Sequence, residues 1–175
     1  MKISILFTAI IILPFSIFGQ SQFPDIEVTD LNDEVIQIPN DTKGKFTLIG
    51  IAFSQDAQND LYSWSQPVFS EFMDKNNLSS LVYDPNVYLI LLFGGANQLA
   101  YKTAKEQIDQ GTDESLKDNV VLYKGKMVDY RKKLGLKSRK KPYFFVLDKS
   151  GEIIFRTEGR YTRDLIEKVG DLIEE

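Results

Sequence analysis

The sequence predicts an α/β sandwich: a central mixed β-sheet flanked by helices, with a β-hairpin extension at its N-terminal end. Three observations predict it. Residues 46–53 and 87–93 are apolar runs with the length and composition of strands buried on both faces, as in parallel sheets. Each is followed by a polar or glycine corner and then by apolar residues at helical spacing, the pattern of a strand–helix–strand unit. Near the C-terminus, two short apolar segments flank Asp148-Lys149-Ser150-Gly151, the signature of an antiparallel hairpin.

Taken in order, the elements justify that class. Residues 23–28 and 35–38 alternate roughly between apolar and polar and are joined by Asp30-Leu31-Asn32-Asp33-Glu34, which predicts the opening hairpin. A loop at 39–45 delivers the chain to the first core strand. Within 59–73, Leu61, Trp64, Val68 and Phe72 form one helical stripe, and Pro67 inside it predicts a bend or break at residues 63–66. After the second core strand Gly94-Gly95 is a turn, because the Lys-Ser/Thr of a phosphate-binding loop is missing. A helix is predicted over 96–110, a short strand over 119–123, and a short helix over 126–134 ended by Gly135. Strands at 143–147 and 152–156 and a last helix at 162–173 complete the domain.

Length and composition bound the function. The 175 residues suffice for one domain, and 43% hydrophobic with 26% charged residues is a globular composition. Residues 3–18 follow Met1-Lys2 as an apolar segment of signal-peptide length, so residues 1–21 are expected to be an export leader cleaved after Gly19 or Ser21, and 22–175 the domain. The expected location is the periplasm or the exterior, the competing reading being an uncleaved anchor. The net charge of −4 argues against a nucleic-acid surface, and no nucleic-acid partner is expected. The chain contains neither cysteine nor histidine. That removes thiol redox chemistry, cysteine nucleophiles, imidazole proton shuttles and Cys/His metal sites. No catalytic residue, metal or cofactor is therefore assigned. Asp30, Asn32, Asp33 and Glu34 lack the rest of a calcium loop and read as a turn. Asn40-Asp41-Thr42 and Asn77-Leu78-Ser79 fit glycosylation sequons.

Two stretches carry a family resemblance. Phe23-Pro24-Asp25 with Val35 to Ile38, and Lys43-Gly44-Lys45 leading into the strand 46–53, resemble the opening of the redoxin branch of the thioredoxin-like superfamily, which includes exported thiol-disulfide proteins and peroxiredoxins. Lys141-Pro142 and the strand after it, the Asp148–Gly151 turn and the next strand are similar to that branch's cis-proline hairpin. The resemblance implies a thioredoxin-like sandwich. It also implies that the corner after the first core strand, where active members keep their thiols, falls at Ser54, Gln55, Asp56, Ala57, Gln58 and Asn59. No sulfur is present there. Pro142 is the position the resemblance implies to be cis, and Lys141 the residue whose backbone meets a substrate peptide in active members.

Ser54, Asp56 and Asn59 suit helix capping, and the same corner could serve as a set of polar contacts beside Pro142. Seven of the eleven residues 131–141 are Lys or Arg, among them Arg139, Lys140 and Lys141. Such a run is either solvated surface or a contact for an acidic or anionic partner. The functional expectation is a redox-inactive exported domain that works by binding a protein or ligand, in an assembly or chaperone-like role. The competing expectation is an enzyme with non-thiol chemistry at the vestigial corner.

Overall fold

The computed structural model describes residues 21–74, 76–77, 83–94 and 99–174. The expected leader, except Ser21, lies outside them, as do Gly95 and the first residues of the helix expected at 96–110. Among the described residues, eight strands form one sheet. They are β1 (Ser21–Gln22), β2 (Ile26–Thr29), β3 (Val35–Ile38), β4 (Thr47–Ala52), β5 (Asn86–Phe93), β6 (Val120–Lys124), β7 (Tyr143–Leu147) and β8 (Glu152–Glu158). Their order across the sheet is β1-β8-β7-β4-β5-β6-β2-β3. β4, β5 and β6 are parallel, and β7 and β8 join antiparallel on the other side of β4, as the mixed-sheet expectation requires.

Alternation along the strands builds a core on each face of the sheet. Leu48 and Ala52 of β4, Leu89 and Leu91 of β5, and Phe144 and Val146 of β7 face one side. That side is covered by α1 (Gln55–Phe72), α2 (Tyr101–Gly111) and α4 (Arg163–Glu174). Ile49, Ile51, Ile90, Tyr143, Phe145 and Leu147 face the other side, beneath Phe23, Ile26, Leu134 and Leu136. The last two flank α3 (Val128–Lys133) and its exit turn. Burial on both faces is why 46–53 and 87–93 read as unbroken apolar runs. Gly50 sits where α1 crosses the sheet: a Cβ there would come within 2.7 Å of Leu61 Cδ1 and 2.9 Å of Phe144 Cζ, so only glycine lets the layers close.

The structure alters three expectations. The strand expected at 23–28 starts only at Ile26, and Ser21 and Gln22, ahead of it, pair with β8 at one edge, whereas β2 pairs with β3 and β6 near the other. Phe23 makes the crossing fully buried, its ring edge-on to Phe145 at 5.8 Å and its N–H donated to Gly151 O at 3.1 Å. The helix expected from 59 begins at Gln55 and runs without a break through Pro67. Ala57, Leu61, Trp64, Val68 and Phe72 are all buried, and sheet contacts on both sides of Pro67 outweigh the lost backbone donor. The Lys141–Pro142 bond is trans; among the described residues the cis peptide is Ile38–Pro39. Trans is the intrinsically favoured X-Pro geometry. The loop's own contacts accommodate it, with Tyr143 Oη accepting from Ser138 N at 2.6 Å and Pro142 O accepting from Gly159 N at 2.9 Å.

The acidic residues of the opening hairpin form its turn. Asp30 Oδ1 accepts from Glu34 N at 2.8 Å, and Asp33 takes the positive φ of 68° that the turn needs. No group of His, Cys, Asp or Glu suited to a metal occurs among the described residues.

Candidate functional site

The parallel strands end together, and the corner after β4 lies at that end of the sheet, where open α/β folds keep their binding crevices. Ser54 is the N-cap of α1. Its extended backbone (φ −147°, ψ 166°) aims Oγ at the first turn, where it accepts from Ala57 N at 3.2 Å. The same hydroxyl donates to Arg139 O at 2.8 Å. One serine thus caps the helix and ties the corner to the loop before β7, across 85 residues of sequence. The stretches singled out by the sequence, 54–59 and 139–142, meet at this hydrogen bond.

Each corner residue has a distinct setting. Ala57 is fully buried against the sheet, while Gln55, Asp56 and Asn59 are exposed and Gln58 is half-buried. Asp56 lies in the first turn of α1, where a carboxylate is favoured by the helix dipole. Beneath the corner, Phe53 packs edge-on to Tyr143 with ring centroids 6.4 Å apart. Tyr143 Oη accepts from Ser138 N and donates to Ser138 O at 3.2 Å, which pins the basic loop from inside. The Arg156 guanidinium lies 5.5 Å from the Tyr143 ring centre and donates through Nη2 to Gly135 O at 2.8 Å. The backbone of the loop is therefore held by contacts that do not occupy its exposed cationic side chains.

Those cations differ in their partners. Lys141 pairs with Glu158 at 3.4 Å, both half-exposed, and Arg131 donates weakly through Nε to Leu136 O at 3.4 Å. Lys132, Lys133, Lys137, Arg139 and Lys140 are exposed and have no carboxylate partner among the described residues. Next to them Tyr123 has its hydroxyl pKa raised, first by burial and then by Tyr130, whose ring lies 5.3 Å away, and by Asp129. At the corner, the side chain of Asp56 makes no hydrogen bond or ion pair among the described residues, and so no acid–base pair with any of them. What the arrangement offers is a rigid polar edge, capped from within and flanked by positive charge.

Sequence reasoning missed the two-way bond of Ser54, because a cap is legible from local sequence and its second, distant partner is not. It also missed the role of Trp64, read only as core. Its ring stacks on Phe144 at 4.1 Å, and Nε1 donates to Gly159 O at 3.0 Å, just beyond β8. The helix behind the corner is thereby fastened to the strand pair that carries the basic loop.

No protein-family model matches the chain, and no curated protein matches it by sequence. Solved structures do. The exposed lipoprotein thioredoxin of Streptococcus pneumoniae strain TIGR4 superposes with a TM-score of 0.59 at 17% identity, over 85% of this chain and 99% of its own. The thioredoxin domain of a thiol-disulfide oxidoreductase from Bacteroides vulgatus gives 0.54 at 20% identity, covering 88% and 96%. BsSco, a member of the Sco family of cytochrome c oxidase assembly proteins, gives 0.57 at 11% identity, covering 89% and 95%. At such identities the likeness establishes architecture, and it extends over almost the whole length of each of these chains. The protein has the thioredoxin-like fold, and it has that fold without a single cysteine.

Proposed function

We propose that this protein is a redox-inactive, exported thioredoxin-like domain that acts by holding a protein or peptide partner at the corner between β4 and α1. The observation that carries the proposal is the hydrogen bond from Ser54 Oγ to Arg139 O. At the position where the family resemblance implies a reactive thiol, it builds an edge in which Gln55, Asp56 and Asn59 face solvent, tied to the loop that carries Lys140 and Lys141. A rigid scaffold presenting exposed polar groups loses little entropy on binding, which suits recognition. The role is assembly or chaperone-like, and the location is outside the cytoplasm, as the apolar segment 3–18 implies.

A photo-crosslinking amino acid placed at Asp56, with Lys102 on the exposed face of α2 as the control position, tests this in the native envelope. A discrete adduct is expected from position 56 alone, and it should weaken in the Lys141→Ala/Pro142→Ala background. Identical adducts from both positions would overturn the binding site. Turnover of insulin disulfides or peroxide by the purified chain would overturn the redox-inactive premise.

A further inference from the structure

A strong charge asymmetry runs through the chain. Residues 124–141 hold nine Lys and Arg residues and one acid, Asp129, whereas the rest of the sequence holds 12 basic and 24 acidic residues. The topology brings this segment to one end of the molecule. β6 finishes at Lys124 beside the C-terminal end of β5, α3 follows with Arg131, Lys132 and Lys133 in its last turn, and Ser54 anchors the backbone of Arg139 at the same end. Within the segment Val128 stands 76% exposed at the first turn of α3.

We propose that this face docks the domain onto an anionic phospholipid surface. The asymmetry gives the molecule a dipole that turns the basic end toward negative charge and the acidic remainder away from it. Seven of the nine cations are lysines, flexible point charges suited to a diffuse layer of headgroups; Arg forks in a fixed pocket would suit bidentate capture of one carboxylate or phosphate. Val128 supplies an exposed apolar group within the charged segment, as at interfacial contacts. The apolar residues 3–18 bring the chain to a membrane whether or not they are later removed. Because the exposed cations are solvated and screened over about 8 Å at physiological ionic strength, docking is a close-contact and salt-sensitive event.

Flotation of the full chain with phosphatidylcholine vesicles and with mixed phosphatidylcholine/phosphatidylglycerol vesicles tests the proposal. The leader contributes equally to every variant, so the readout is the ratio of the two affinities. Preference for the mixed vesicles is expected, together with its loss on raising salt. Each Lys near an anionic surface is worth about fivefold, so Lys132→Ala/Lys133→Ala/Lys137→Ala should lower the preference roughly a hundredfold. Lys43→Ala/Lys149→Ala/Lys168→Ala, which removes the same charge elsewhere, should leave it unchanged. Equal affinity for both vesicles, or equal loss in the two triple variants, would overturn the proposal. Retention on polyglutamate without any lipid preference would assign the face to an acidic protein and overturn it as well. None of these substitutions touches the corner, so this test and the crosslinking at Asp56 fail independently.

Discussion

Ser54→Ala removes two interactions that the structure assigns to one oxygen. Loss of the N-cap to Ala57 N costs about 1 kcal/mol, within a usual range of roughly 0.5–2. Loss of the donated bond to Arg139 O costs about another 1 kcal/mol, the net worth of a typical neutral hydrogen bond. The sum is about 2 kcal/mol, or a fall in melting temperature of roughly 4–8 °C for a domain of this size. Trp64, the single tryptophan, is fully buried and reports unfolding by fluorescence, so urea titration reads the loss directly. Ser54→Asp separates the two contributions: a carboxylate caps the helix well but cannot donate to the Arg139 carbonyl. It should recover the cap and leave the loop released, which hydrogen exchange at residues 138–141 would register as faster exchange than in the wild type. A stability change below about 0.3 kcal/mol in Ser54→Ala, with exchange of the loop unaltered, would show that the corner is not held by this residue.

Three further outcomes follow from the packing and the turns. Gly50→Ala drives a methyl into Leu61, Phe144 and Leu89 and should cost about 1–3 kcal/mol by overpacking, read as a lower urea midpoint at unchanged slope. Asp148→Ala should destabilise by about 1–2 kcal/mol at neutral pH, because Oδ1 accepts from Ser150 N, Ser150 Oγ and Glu152 N at 2.8–2.9 Å. Partial burial raises the Asp148 pKa, but these bonds and the backbone N–H groups of the turn outweigh it and leave the pKa lowered. Its stabilisation is therefore complete above the unfolded-state value of about 3.9 and is lost as pH falls through the lower, folded one, so wild type and Asp148→Ala should converge in acid unfolding curves as pH drops below the carboxylate range. Trp64→Phe keeps the stack on Phe144 but loses the bond to Gly159 O; a destabilisation of about 1–2 kcal/mol is expected in differential scanning calorimetry, and none would mean that α1 is not fastened to the end of β8.

The sequence by itself determined the class of fold and the limits on chemistry. The apolar runs at 46–53, 87–93 and 143–147 and the Asp148–Gly151 turn are local patterns, and burial of both sheet faces writes the runs directly into composition. The absence of cysteine and histidine excluded whole classes of mechanism before any geometry was known. Tertiary structure decided what depends on neighbours distant in the chain. Pro67 reads as a helix breaker in isolation, but the buried stripe from Ala57 to Phe72 holds the helix through it. Residues 23–28 read as one extended segment, but the strand begins only at Ile26, while Phe23, buried edge-on to Phe145, carries the chain across from β1 at the opposite edge of the sheet. Lys141–Pro142 is trans, the geometry X-Pro bonds favour, where the family resemblance implied cis, and the loop contacts through Tyr143 and Gly159 accommodate it. The corner was legible as a helix N-terminus, since capping is a property of a few consecutive residues. Its union with the basic loop was not, since it rests on one hydroxyl and one carbonyl that meet only when the sheet has formed.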